Sequence, residues 1–163
     1  MQEDLQAIAP VVHLAVDYEK GIVESTKANV QTIASIFGKE AKADTMFTDF
    51  QPRIDALKTV LGGKDVLLGM YNASALGLMG TASQLNPEYM FILDRSTATQ
   101  AADGSVMGVR EVIENDLIKE LDVYKNDKIV YFIEHANVWY TSTGGVQALD
   151  TMLTDLEEAL LPK

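Results

Sequence analysis

The stretch YMFILDR, residues 89–95, followed at a distance by KIVYFIEHANVWYTSTGG, residues 128–145, decides the fold. Each begins as a short apolar run and stops at residues able to hold a charged, oxygen-rich ligand. In the first that residue is Arg95; in the second it is the Trp139–Tyr140 pair with the glycine-rich turn after it. A third run, DVLLGMY at 65–71, has the same unbroken apolar character. Runs of this length suit strands covered on both faces, as in a parallel sheet with helices on either side. In an open sheet of that kind ligands bind beyond the carboxyl ends of the strands. Three such ends are expected here, at residues 72–74, 94–97 and 135–145.

Helical spacing fills the intervals. Val146, Leu149, Leu153, Leu156 and Leu160 mark a last helix, and Ser105 is placed to cap another that uses Val106, Val109, Val112 and Ile113. Upstream of Gly62-Gly63 the pattern is amphipathic. Ile22, Val23, Thr26, Val30, Ile33, Ala34 and Phe37 predict a helix that stops at Gly38. Met46, Phe47, Phe50, Ile54, Leu57 and Leu61 continue the periodicity, and Pro52 is expected to kink or divide that second helix, a bend being favoured over a break. VVHLAV, residues 11–16, reads as a strand because a β-branched run after Pro10 favours extended backbone. The expected class is therefore α/β: a single three-layer lobe with a mostly parallel sheet, preceded by long helices.

At 163 residues the chain fits one domain with one sizeable core, and 47% hydrophobic content argues for a folded globular protein. Acidic residues outnumber basic ones by 24 to 13, a net charge of -11 that excludes general attraction to nucleic acid or anionic membrane. Any anionic ligand must be held locally. Without cysteine there is neither a disulfide framework nor a thiolate metal site. The opening MQEDLQAIAP has neither the basic start nor the apolar core of a signal peptide, so these residues alone predict a soluble, unexported chain.

Arg95 directly follows a predicted strand, and its planar, permanently charged fork suits a carboxylate, phosphate or catecholate. It could equally pair with Asp94 or another acid. Tyr140 offers a hard oxygen donor for a hard cation such as ferric iron, and Trp139 an apolar platform for an aromatic ligand. The same pair could instead cover the sheet edge, with the hydroxyl satisfied by backbone. The TSTGG turn either presents amides to an anion or is an ordinary helix start with Thr143 as cap. His13 and His135 stand too far from other ligand types to form a metal pair by spacing. No P-loop, GxGxxG or GxSxG occurs, and of the acids a phosphorylation receiver would cluster at strand ends only Asp94 is suitably placed. A non-enzyme is expected.

NPEYMFILDR, NDLIKELDVYKNDKIVYF and VWYTSTGGVQALDTML, in this order and spacing, resemble the C-terminal lobe of bacterial ferric-siderophore substrate-binding proteins. The likeness is to the catecholate group that takes up enterochelin and petrobactin-like ligands through ABC transporters. LQAIAPVVHLAVDY and VESTKANVQTIASIFGKEAKAD resemble that family's exit from its first lobe and the start of its interlobe helix. The resemblance implies a remnant of the first lobe at 1–21, a helical interlobe segment at 22–62 as in class III binding proteins, and a C-terminal α/β lobe at 63–163. It implies a ferric siderophore as ligand, an ABC permease as partner of the full-length family, and an extracytoplasmic location, periplasmic or cell-surface. Arg95 matches the arginine after the family's "VID" strand, and Tyr140 matches the iron-binding tyrosine of its "WY" motif, with Trp139 beside it. The family's two further arginines and its histidine have no counterpart, and YNASALGLMG runs directly into TASQLNPEY where the family has another strand and helix. His135 lies close enough in sequence to stand in for that histidine as a metal ligand. The expected function is a shortened ferric-siderophore binding component with weakened or lost binding. The rival is an interaction module that self-associates, as a homodimer, through apolar surface at residues 11–34.

Overall fold

The computed structural model describes residues 2–72, 75–79, 86–96, 108–141 and 145–162. The chain forms two compact units, residues 1–49 and 50–163.

In the first unit lie α1 (Gln2–Gln6), α2 (Ile22–Ile36) and α3 (Glu40–Phe47). The glycines at both ends of α2 adopt positive φ, +83° at Gly21 and +60° at Gly38. Gly38 turns the chain so that the Lys39 N–H returns 2.9 Å to the Ala34 carbonyl, an arrangement that favours glycine there. Ala34, Ala43 and Phe47 are buried. Residues 11–16, expected as a strand, have no regular structure, and Val12 and Leu14 are exposed. This segment is tied down by side chains instead of a ladder: Asn29 Nδ2 donates to the Ala15 carbonyl at 3.0 Å, and the Ser25 hydroxyl bridges the backbone N–H and C=O of Asp17 at 2.8 Å each. Extended propensity without a neighbouring strand leaves backbone groups to be satisfied this way.

The bent helix predicted across Pro52 is two helices. α3 ends at Phe47 and α4 (Phe50–Leu61) begins three residues later. Pro52 occupies the first turn of α4, where its missing N–H would have had no helical partner.

The second unit holds a four-stranded sheet ordered β2-β1-β3-β4, built from β1 (Val66–Asn72), β2 (Ala75–Met79), β3 (Tyr89–Asp94) and β4 (Ile129–Phe132). β1, β3 and β4 are parallel; β2 folds back antiparallel on β1 as an edge. The mostly parallel α/β lobe is as expected, and β2 is the addition. Gly77 interrupts its apolar pattern and conceals a strand that needs only one covered face. Gly69 makes room on β1: a Cβ there would stand 2.8 Å from Ile92 Cδ1 and 3.2 Å from Leu76 Cδ1.

Alternation along β3 sends Met90 and Ile92 to one face, where they join Leu67, Tyr71, Val109, Ile113 and Val123. The helices supplying that layer are α5 (Val109–Ile113), α6 (Asp116–Lys119) and α7 (Asp122–Lys125). Ser105 and Val106, the predicted start of this layer, lie outside the described residues. Tyr89, Phe91 and Leu93 point to the other face, against Phe132, Ala136, Leu156 and Leu160. That layer consists of α4, α8 (Ala136–Thr141) and α9 (Gly145–Leu160). All six residues of β3 are buried, which accounts for its unbroken apolar run.

Arg53 joins α4 to α9. Its Nε and Nη2 donate to the two carboxylate oxygens of Glu157 at 2.8 Å each, Nη2 also reaches Thr154 Oγ1 at 2.9 Å, and Nη1 pairs with Asp150. α4 thus packs within the unit that contains the sheet.

Candidate functional site

Parallel pairing brings the ends of β3 and β4 together. Leu93 is level with Phe132 in the register, so Arg95 and the turn leading into α8 emerge side by side at the carboxyl edge. The Arg95 N–H donates 2.8 Å to the Tyr71 carbonyl, which continues the β1–β3 ladder one residue beyond the strand. Its Nη1 lies 3.7 Å from Met70 Sδ. Asp94 is 5% exposed, and its Oδ1 accepts from the Ser96 N–H at 2.8 Å and from the Ser96 hydroxyl. This carboxylate therefore shapes the turn that follows Arg95.

Trp139 and Tyr140 lie on α8, a six-residue helix packed over the end of β4. One face of the indole stacks on Phe132, with centroids 4.2 Å apart and planes at 25°. The indole Nε1–H donates to Asp155 Oδ2 at 2.7 Å, and the other oxygen of Asp155 lies 2.8 Å from His135 Nδ1. A residue of α9 thereby holds both His135 and Trp139. The His135 carbonyl accepts from the N–H groups of Val138 and Trp139, so His135 opens α8. Its imidazole is raised in pKa, chiefly by the hydrogen bond to Asp155 and then by that carboxylate's charge, with Glu134 and Glu158 adding to it. The Tyr140 side chain and the turn at 142–144, including Thr143, lie outside the described residues.

A cleft of about 460 Å³ runs along β4 and is lined in part by Glu134, His135, Asp155 and Glu158. Among the described residues no group of three or more histidines and carboxylates is disposed to hold a metal. The nearby Tyr131 is committed elsewhere: its hydroxyl donates to Glu114 at 3.1 Å, and burial, followed by the Glu114 charge, pushes its pKa up. Asp155 is the residue that sequence reasoning missed. It lies 20 and 16 residues from its two partners, and no local spacing joins them.

No protein-family model matches the sequence. The chain is 26% identical over 193 aligned residues to the petrobactin-binding protein YclQ of Bacillus subtilis, covering 97% of this chain and 59% of YclQ. It thus spans about three fifths of that relative's length. The alignment is longer than the chain, so YclQ carries internal residues with no partner here. The crystal structure of YclQ superimposes with a TM-score of 0.76 at 25% identity, over 99% of this chain and 67% of that one. The periplasmic catecholate-siderophore binding protein VctP of Vibrio cholerae matches with a TM-score of 0.78 at 20% identity, over 96% of this chain and 67% of that one. PiuA of Streptococcus pneumoniae, an iron uptake ABC transporter substrate-binding protein, matches with a TM-score of 0.73 at 23% identity, over 98% and 67%. These relatives are binding proteins. No helix among the described residues is long and apolar enough to cross a membrane. The resemblance read from the sequence therefore holds: the chain is a homologue of the petrobactin-binding protein YclQ along nearly its whole length and has the α/β fold of the siderophore-binding proteins.

Proposed function

We propose that this chain is a ferric-siderophore binding component of an extracytoplasmic ABC uptake system, working with a permease. In this reading Arg95 holds the anionic siderophore, Tyr140 completes the iron shell beside Trp139, and His135 is the second iron ligand. Ferric siderophore is the cargo, and the protein needs no resident cofactor. The observation that supports this most is the adjacency of β3 and β4, which brings Arg95 to the same sheet edge as the turn into α8. The relation to YclQ supplies the ligand class. Affinity is weakened relative to a site with several arginines, because one guanidinium offers fewer charge-assisted bonds to an anionic ligand.

Trp139 is the only tryptophan, so its emission reports on this edge. Titration with ferric petrobactin, and with a simple ferric catecholate, is expected to quench it saturably. Arg95→Ala and Tyr140→Phe should each weaken the response. A flat titration of the unmodified chain would remove the binding assignment.

Self-association is a second reading, favoured by Val12, Leu14, Ile33, Ile36 and Phe37, all at least 40% exposed in the first unit. Light scattering on a size-exclusion column tests it, and a monomer at all concentrations sinks it.

A further inference from the structure

We infer that Asp155 is the positioning residue of the ligand edge: its two carboxylate oxygens fix α8 at His135 and Trp139 and set His135 in the tautomer whose Nε2 is a bare acceptor. This rests on the proposed binding site, for which it supplies the supporting contact. A helix of six residues has little stability of its own, so the orientation of α8 depends on tertiary ties. Among the described residues these ties include the stack of Trp139 on Phe132, the indole N–H to Asp155 Oδ2, and His135 to Asp155 Oδ1. The last two converge on one carboxylate, whose side chain is only 16% exposed.

The chemistry of the partners then decides where the protons sit. An indole nitrogen can only donate, and an ionised carboxylate can only accept. Oδ2 therefore accepts a hydrogen bond from the Trp139 N–H, and Oδ1 accepts one from the His135 Nδ1–H. A neutral His135 so arranged carries its lone pair on Nε2, and the ring is 48% exposed. That is the orientation in which an imidazole serves a metal, its other N–H held by a carboxylate. Tyr140 shares the helix that Asp155 steadies, directly after Trp139.

Replacing the carboxylate by its amide isostere reverses the pattern. In Asp155→Asn the one remaining oxygen must still accept from the indole. The amide NH2 then faces His135, Nδ1 becomes the acceptor, and the proton moves to Nε2.

The test is nitrogen NMR of the imidazoles in the ligand-free protein at a pH well above the ordinary imidazole range. The chain has two histidines, so His13→Gln assigns the signals. The unmodified protein is expected to show His135 with the proton on Nδ1, and Asp155→Asn to show it on Nε2 with faster amide exchange at Val138 and Trp139. Trp139→Phe removes the competing donor and should leave the proton on Nδ1, a control that does not depend on Asp155→Asn folding. A proton on Nε2 in the unmodified protein overturns the inference, as does an Asp155→Asn variant with unchanged tautomer and exchange. Where the unmodified chain quenches with ferric catecholate, Asp155→Asn should bind about 10-fold more weakly, and equal affinity counts against the positioning role. If the tautomers behave as expected but the unmodified chain never quenches, the binding assignment alone fails.

Discussion

At the scale of single residues, His135 offers a pH dependence whose sign follows from its partner. Asp155 raises the imidazole pKa above the unfolded value, first by hydrogen bonding and then by charge. The protonated ring is thus favoured in the folded chain. The stability it contributes is fully present below about pH 6.5, the unfolded imidazole value, and disappears as pH rises through the higher folded value. The effect is small, because the ring is half exposed and solvent screens the pair. Denaturation midpoints measured from mildly acidic to mildly alkaline pH should therefore fall more in the unmodified chain than in His135→Gln. The comparison cancels groups common to both. Parallel curves would mean that the Asp155–His135 pair carries no proton-linked stability in solution.

Among elements, the junction of α4 and α9 depends on Arg53. Its guanidinium serves Glu157 with two parallel bonds and also reaches Thr154 and Asp150, a fork that lysine cannot reproduce. Arg53 is 21% exposed and Glu157 24%, so the pair is more shielded than an ordinary surface bridge. Arg53→Met keeps the stem but leaves Glu157 facing α4 without a cation, and should destabilise the second unit by about 1–3 kcal/mol. Arg53→Lys should recover only part of that. Urea denaturation measures both, and an Arg53→Met midpoint equal to that of the unmodified chain would show the fork to be energetically silent. Nothing local in the sequence announces this contact, since its partners are about a hundred residues away. The same limit governs what else was legible. β3 was readable because burial on both faces forces an unbroken apolar run, β4 because its run is apolar throughout although only Phe132 is fully buried, and α9 because one covered face imposes Leu149, Leu153, Leu156 and Leu160. β2 hid behind Gly77, for an edge strand needs little apolar surface. VVHLAV had strand propensity but no partner strand among the described residues, and pairing decides strands. Arg95 was visible as the residue ending β3. The setting of Trp139 was not, because it depends on Asp155 arriving from another helix.

For the whole molecule, the distribution of buried residues divides the chain unequally. The sheet and both of the clusters packed on its faces draw only on residues between Val60 and Leu160. The helices that cover those faces, α4 through α9, also lie within 50–163, as does the Arg53 clasp. Among the described residues, the cluster in which Met90 and Ile92 are buried is therefore encoded after Asp49. A piece comprising 50–163 is long enough to bury most of its apolar surface, on the scale at which domains of about 100 residues fold alone. Expressed by itself, it should give a dispersed amide spectrum in which β3 is the most protected strand from hydrogen exchange. Because Arg95, His135, Trp139 and Tyr140 are all within it, its Trp139 emission should respond to ferric catecholate as the full chain does. A collapsed spectrum would mean that residues 1–49 contribute to the core in a way their own buried set does not reveal. A folded piece whose quenching differs from that of the full chain would assign the first unit a part in the ligand site.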